Sequence, residues 1–101
     1  MTSSVYKILT ADQWSAFQAE GRFAGSEDDL RDGFIHLSTQ AQVDGVIQRY
    51  FSAVKPLYVA EFSNPVFIDQ LQWDAATSGE LYPHLYNASL LLGDVAGVVE
   101  R

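Results

Sequence analysis

The sequence of 101 residues contains no cysteine. This absence excludes disulfide bonds, thiolate zinc sites, iron–sulfur clusters and cysteine nucleophiles. No stretch approaches the roughly 18 consecutive apolar residues of a membrane-spanning helix. The N-terminus also lacks a basic segment followed by an apolar run. We therefore expect a cytoplasmic protein that does not bind membranes.

Positive charge is scarce. The chain has 6 Lys and Arg against 13 Asp and Glu, which gives a formal net charge of −7. The cations are scattered along the sequence instead of forming a stripe, and an acidic surface repels a phosphate backbone. We therefore expect no non-specific nucleic-acid binding. A single nucleotide in a local pocket remains compatible with this charge.

Several familiar catalytic motifs are missing as well. The sequence has no phosphate-binding glycine loop, no His-Glu-x-x-His helix, no nucleophile elbow and no dinucleotide-binding glycine fingerprint. Its two histidines lie far apart and show no metal-ligand spacing, so we predict no metal site.

The residues that are present predict one globular domain over residues 1–101, because the length and the apolar share of 48% are typical of a single core. Val5 to Leu9 is β-prone. Thr10 and Gln13 then have the spacing of a capping box, and Gly21 is suited to end the helix that begins there. A strand followed directly by a helix is predicted.

A second helix is predicted from Gln40 to Phe51. Thr39 and Gln42 repeat the capping-box spacing, and apolar residues recur at the spacing of one helical face. The positions that we expect to be buried are Val43, Val46, Ile47, Tyr50 and Phe51. The positions that we expect to face outward are Asp44, Gln48 and Arg49.

The remaining segments predict strands joined by loops. Residues 22–32 contain Gly25 and four acids, and they predict a loop. The predicted strands or extended pieces are 33–37, 57–62, 66–73, 90–92 and 95–99, with a mixed apolar segment at 81–86. Strands outnumber the two short helices. The sequence therefore predicts an α+β fold with a curved, largely antiparallel or mixed split sheet.

The candidate site begins with His36. Alternation along its predicted strand places Phe34, His36 and Ser38 on one face. A histidine can also be hydrogen-bonded within a core or at a strand end, so a structural role stays open. A converging polar partner would favour a functional site.

The second histidine, His84, lies in the segment Tyr-Pro-His-Leu-Tyr at 82–86. Proline fixes one backbone angle, and Tyr82 and Tyr86 supply flat walls with hydrogen-bonding groups, which is a composition suited to lining a pocket. Alternatively, the proline shapes a loop and the tyrosines fill the edge of the core. The available acids are Asp28, Asp32 and Asp74, although acids in loops are usually solvated.

Two segments carry a family resemblance: Gly33-Phe34-Ile35-His36-Leu37-Ser38-Thr39 and Tyr82-Pro83-His84-Leu85-Tyr86. Further matching positions are Tyr6-Lys7-Ile8, Trp14, Gly21, Gln42 and Trp73-Asp74. With them, almost the whole chain resembles the DUF952 family of uncharacterised small proteins. The resemblance implies a fold similar to that of the ADP-ribosyltransferase superfamily, whose active members grip NAD in a cleft of a split, curved sheet.

The sequence departs from the family pattern at two positions. Lys7 stands where many members have a histidine on the first strand, which is expected to alter the charge of the cleft. Asn87 replaces the glycine that usually follows the second segment, which is expected to alter the turn.

The resemblance implies a small-molecule cleft for NAD or another nucleotide, with ADP-ribosyl-type transfer or hydrolysis as the reaction. The expected ligand-binding residues are Lys7, Ser38, Tyr82 and Tyr86. The expected catalytic residues are His36, His84 and Asp74. The alternative is a non-catalytic binding module for a nucleotide or small metabolite, which the missing first-strand histidine favours. A purely structural role is a third possibility, although the chain has no coiled-coil heptads.

Overall fold

Nine strands and four α-helices lie within residues 4–101, the part of the chain that the computed structural model describes. The strands are β1 (Val5–Thr10), β2 (Arg22–Phe23), β3 (Ile35–His36), β4 (Ser38–Thr39), β5 (Leu57–Phe62), β6 (Gln72–Ala75), β7 (Leu81–Leu85), β8 (Leu90–Leu91) and β9 (Val95–Glu100). The helices are α1 (Ala11–Glu20), α2 (Glu27–Asp32), α3 (Gln40–Tyr50) and α4 (Pro65–Asp69), with a 3₁₀ turn at Leu92–Asp94.

The strands form three sheets in which all described pairs are antiparallel. The sheet orders are β4-β1-β5-β9, β2-β8 and β3-β7-β6. The predicted α+β class with antiparallel strands is therefore confirmed. The chain passes from the three-stranded to the four-stranded sheet at Leu37, whose amide donates to the Pro83 carbonyl over 3.1 Å. The predicted strand at 33–37 is shortened to β3, and the prediction that Ser38 continues that strand is wrong, because β4 belongs to a different sheet.

The first strand and helix agree with the prediction because local interactions define their boundaries. The Gln13 amide donates to the Thr10 hydroxyl, and the Thr10 amide donates to the Gln13 side chain. Gly21 ends α1 with φ at 76°, a left-handed conformation that glycine adopts without strain. Phe17 is fully buried, and Trp14 packs edge-on against its ring.

The prediction of a loop over residues 22–32 is wrong, because this segment contains β2 and α2. Ser26 and Asp29 form a capping box at the start of α2, and Gly33 ends the helix with φ at 87°. The one large apolar residue of α2, Leu30, is 67% exposed, whereas Asp29 is buried. Hydrophobic periodicity therefore gave no signal for this helix.

Residues 66–73 contain a further helix where an extended piece was predicted. The Asn64 side chain accepts from the Val66 amide, and Pro65 occupies the first turn of α4, where its missing N–H costs no hydrogen bond. The described chain thus has four α-helices rather than the predicted two.

The third helix has nearly the predicted bounds. Val43 is buried, and Val46, Ile47 and Phe51 pack half-buried against a small apolar cluster. Tyr50 is 68% exposed, so the prediction that it is buried is wrong. Its side chain instead lies at the rim of the cleft described below.

Two apolar clusters flank β1. Val5 and Leu9 belong to the larger cluster, and Ile8 belongs to the smaller one beneath α3. Because side chains alternate along β1, the strand contributes apolar residues to both faces of the four-stranded sheet. None of the helices within residues 4–101 is long and apolar enough to cross a membrane.

Candidate functional site

The two histidines lie opposite each other on neighbouring strands. In the antiparallel pairing of β3 with β7, His36 is the register partner of His84. Their ring centroids are 5.5 Å apart. The Phe34 ring lies against both, at 4.6 Å from His36 and 4.0 Å from His84. The fold therefore joins the two sequence segments into one aromatic and polar cluster.

A cleft of about 370 Å³ opens beside this cluster. The candidate residues that line it are Lys7, His36, Ser38, Asp74, Tyr82 and His84. Tyr86 does not line the cleft, but its hydroxyl donates to Oδ2 of Asp74 over 2.7 Å. In the described part of the chain, no group of three or more His, Cys, Asp or Glu side chains is placed to hold a metal ion.

Both ring nitrogens of His36 face carboxylates. Nδ1 lies 2.6 Å from Oδ1 of Asp29, and Nε2 lies 3.1 Å from Oδ2 of Asp32. The His36 backbone amide also donates to Oδ1 of Asp29. These contacts fix the ring at the cleft wall, although 39% of its side chain is exposed.

The side chain of Asp29 is buried and hydrogen-bonds to three neighbouring residues. Its carboxylate accepts from Lys7 Nζ over 2.8 Å and from the Ser26 amide over 2.9 Å, in addition to the two His36 donors. Burial opposes ionisation, but hydrogen bonding from His36 and the charge of Lys7 hold the pKa of Asp29 well below its usual range. Asp29 is therefore an anion that orients His36.

Lys7, an expected ligand-binding residue, lines the cleft, but its ammonium is hydrogen-bonded to the protein. Its side chain is only 7% exposed, and its ammonium donates to Asp29 and to the His36 carbonyl. Burial lowers the pKa of Lys7 against the opposing attraction of Asp29. Lys7 therefore stabilises the cleft wall through two of the three N–H donors of its ammonium.

A second pair of histidine and carboxylate lies beside the first, on β7 and β6 of the same sheet. Nδ1 of His84 lies 2.7 Å from Oδ2 of Asp74, which also accepts from Tyr86, while Gln72 donates to Oδ1. Hydrogen bonds from Tyr86, then His84 and Gln72, lower the pKa of Asp74, and the Asp74 carboxylate raises that of Tyr86. β6 and β7 position this group because Asp74 and Tyr82 are register partners.

The turn after β7 accommodates the departure at Asn87. Its φ is 55°, in the left-handed region. Asparagine enters this region more readily than most non-glycine residues. The substitution therefore keeps a conformation that glycine would also adopt.

Arg49 is a further residue at the rim of the cleft. The sequence predicted only that it lies on the outward face of α3. The Arg49 guanidinium lies 5.8 Å from the Tyr50 ring centroid. Contacts with Tyr50 and then Tyr82 raise the pKa of Arg49. Within residues 4–101, no carboxylate forms an ion pair with Arg49. Arg49 therefore contributes a positive charge that is not balanced by an ion pair to the lining of the cleft.

Sequence reasoning also missed Asp29, which was counted only among the acids of a predicted loop. The available signal was the Ser26-x-x-Asp29 spacing, which matches a capping box. Ser38 lies at the cleft, but not for the reason that the sequence suggested: it is buried on β4, not on one continuous strand with His36. The change of sheet at Leu37 still leaves both side chains at the cleft.

An antiparallel α+β fold with a cleft walled by two histidine–carboxylate pairs defines the class of this protein. The family model described as "Protein of unknown function (DUF952)" matches residues 8–98. The chain therefore belongs to the DUF952 family.

Solved structures of protein CC0527 from Caulobacter crescentus are similar to this chain. The crystal structure has a TM-score of 0.89 and 36% identity, and the match covers 97% of this chain and 85% of that chain. The solution NMR structure has a TM-score of 0.79 and 37% identity, covering 95% and 82%, respectively. No protein with curated annotation matches the sequence.

Proposed function

We propose that the cleft binds a nucleotide, with NAD as the first candidate, and that the protein acts in ADP-ribosyl-type transfer or hydrolysis. The observation that carries this proposal is the placement of two imidazoles and the carboxylates of Asp29, Asp32 and Asp74 around one cleft. The bond from ribose to nicotinamide breaks through a sugar-centred cation. Oriented carboxylates stabilise such developing positive charge.

The size and lining of the cleft support a ligand of this class. Small-molecule pockets commonly measure roughly 300–1,000 Å³, and this cleft measures about 370 Å³. Ser38 supplies a hydroxyl for ribose, Tyr82 supplies a flat face for a ring, and Arg49 supplies positive charge for phosphate groups.

The family resemblance to the ADP-ribosyltransferase superfamily supports the same ligand, and we propose a similar fold relationship for this chain. A fold does not by itself assign an activity, so the proposal depends on the groups in the cleft. We further propose a cytoplasmic location, with which the absence of cysteine agrees.

The alternative is a non-catalytic nucleotide or metabolite module. The observation that favours it is the engagement of Lys7, which occupies the first-strand position where many family members have histidine. Asp29 and the His36 carbonyl accept two of the three N–H donors of its ammonium, and its side chain is only 7% exposed, so this position presents little of its charge to a substrate.

A thermal-shift panel followed by a turnover assay separates these functions. The panel contains NAD, ADP-ribose, AMP, nicotinamide riboside and non-nucleotide metabolites. A ligand at 100 times its Kd stabilises the folded state by about 2.7 kcal/mol. We expect NAD to raise the Tm and nicotinamide to be released on incubation, as measured by chromatography. Stabilisation without release supports the non-catalytic module, and no shift with any nucleotide contradicts both nucleotide proposals.

Arg49→Gln tests the phosphate contact. We expect weaker binding of NAD, ADP-ribose and AMP, with little change for nicotinamide riboside, because only the first three carry phosphate groups. Arg22→Gln is the matched control, since Arg22 contacts Ser89 and does not line this cleft. An equal loss of affinity in the two variants would contradict a local role for Arg49.

A further inference from the structure

The two histidines differ in the hydrogen bonding of their Nε2 atoms. His36 has carboxylates near both nitrogens, Asp29 at Nδ1 and Asp32 at Nε2. His84 has a carboxylate only at Nδ1, where Asp74 lies 2.7 Å away. No hydrogen-bond partner within residues 4–101 contacts Nε2 of His84. The two rings are therefore chemically unequal despite their paired positions.

The free nitrogen of His84 is open to the cleft. Among the described residues, no buried side-chain nitrogen or oxygen lacks a hydrogen-bond partner. Nε2 of His84 has no partner, so it is not sealed within the protein, and the residue lines the cleft. Only 12% of the His84 side chain is exposed, and this accessible part includes the free nitrogen.

The tautomer of His84 follows from its partner. A carboxylate accepts hydrogen bonds but cannot donate them while ionised. The proton of neutral His84 consequently resides on Nδ1, facing Asp74, and the lone pair resides on Nε2. Tyr86 and Gln72 both donate to Asp74 and lower its pKa, which keeps the carboxylate in the accepting form.

We propose that Nε2 of His84 is the proton-accepting nitrogen of the cleft, with Asp74 and Tyr86 as its positioning residues. His36, whose two ring nitrogens face Asp29 and Asp32, is assigned to ligand contact rather than to proton transfer. This division of roles rests on the proposed function. It gives different roles to two histidines that were both expected from the sequence to be catalytic.

In the proposed reaction, an acceptor O–H or N–H group gives its proton to Nε2 of His84. The acceptor atom forms a bond to C1′ of the ribose. The C1′–N bond breaks, and its electron pair neutralises the pyridinium nitrogen as nicotinamide leaves. With water as the acceptor, the products are ADP-ribose, nicotinamide and a proton on His84 that solvent then removes.

Acylation by diethylpyrocarbonate tests the inequality without any nucleotide, because the reagent modifies unprotonated, unblocked imidazole nitrogens. Peptide mass spectrometry of the protein at pH 7 measures the rate at each histidine. We expect His84 to react several-fold faster than His36, although its side chain is 12% exposed against 39%. Exposure alone predicts the reverse order. A faster reaction at His36 overturns the inference.

Two variants make the acylation test specific. Asp32→Ala removes the carboxylate from Nε2 of His36 and should raise the acylation rate of His36 several-fold, while the rate at His84 stays constant. Asp28→Ala is the matched control on α2 and should leave both rates unchanged. An unchanged His36 rate in Asp32→Ala overturns the explanation by carboxylate blocking.

Nitrogen-15 NMR measures the tautomer of His84 and so tests the positioning role of Asp74. In the parent, we expect His84 to carry its proton on Nδ1. In Asp74→Ala, the population should shift towards the Nε2–H tautomer. A parent His84 protonated on Nε2 overturns the inference. Failure of NAD to bind instead overturns the proposed function, because neither acylation nor the tautomer measurement uses NAD.

Discussion

Asp29→Ala removes the carboxylate that joins α2 to β1 and β3. In the parent, this carboxylate accepts from Lys7, the Ser26 amide, and both the amide and ring of His36. The side chains of Lys7 and Asp29 are only 7% and 2% exposed. The variant therefore leaves a buried ammonium with the His36 carbonyl as its remaining described partner.

Removing one partner of a buried ion pair costs roughly 3–5 kcal/mol, because the remaining charge keeps its desolvation penalty but loses the attraction. We expect the free energy of unfolding of Asp29→Ala to fall by about this amount. In a domain near this size, 1 kcal/mol changes the Tm by about 4–8 °C. The expected decrease in Tm is therefore at least about 12 °C.

Urea denaturation compares this variant with two others. Asp28→Ala removes a 73% exposed carboxylate that pairs with Arg31, and it should cost about 0–1 kcal/mol. The double variant Lys7→Met, Asp29→Leu removes both buried charges and should recover most of the lost stability. Similar stability of Asp29→Ala and Asp28→Ala, or a double variant no better than Asp29→Ala, would refute the buried-charge argument.

The same carboxylate gives stability a definite pH dependence. Burial opposes its ionisation, yet His36 and Lys7 lower the folded-state pKa below the usual value of 3.8. Its contribution is complete above the usual pKa and is lost as pH falls through the folded-state pKa. Urea midpoints of the parent should therefore fall more steeply below about pH 4 than those of Asp29→Asn. Parallel curves would assign the acid sensitivity to other groups.

Further predictions test the backbone, the face of α3 and His36. Gly33→Ala should lower the free energy of unfolding by about 1–2 kcal/mol, because φ at Gly33 is 87°. Gly45→Ala, inside α3, should raise it by about 0.5–1 kcal/mol. Both sites have space for a methyl group, so equal thermal shifts in the two variants would contradict the backbone argument. In urea denaturation, Val43→Ala should lower the free energy of unfolding by about 2 kcal/mol, and Tyr50→Ala should lower it by less than about 0.5 kcal/mol. The reverse order would show that the face of α3 carrying Tyr50 is the buried one. His36→Ala should abolish NAD binding in calorimetry and lower the free energy of unfolding by about 1–3 kcal/mol. A larger loss of stability with retained affinity for NAD would assign His36 a structural role.

The predictable parts of the fold are those defined by neighbouring residues. Thr10, Gln13 and Gly21 mark α1 because capping and the left-handed stop are local interactions. α2 also has a capping box, but its buried residue is Asp29 and its apolar Leu30 points outward. A pattern based on apolar residues cannot identify a helix that is held to the protein by a buried carboxylate.

The sequence indicated several of the residues around the cleft without indicating their contacts. It placed His36, His84, Ser38 and Asp74 among the candidates because of their residue types and surrounding segments. The register of β3 against β7, which brings the two rings together, depends on long-range strand pairing. The chain crossing at Leu37 is likewise a tertiary feature. Hydrogen-bond partners, including the unequal Nε2 environments, follow only from the assembled structure.

The crossing at Leu37 makes the cleft a seam between two separately hydrogen-bonded sheets. His84 lies on the three-stranded sheet, whereas Ser38 lies on the four-stranded sheet. A ligand that contacts both side chains links these sheets mechanically. The hydrogen bond from the Leu37 amide to the Pro83 carbonyl then becomes a reporter of occupancy, because separation of the sheets must strain or break it. Slower hydrogen exchange at this amide would therefore register a bound ligand.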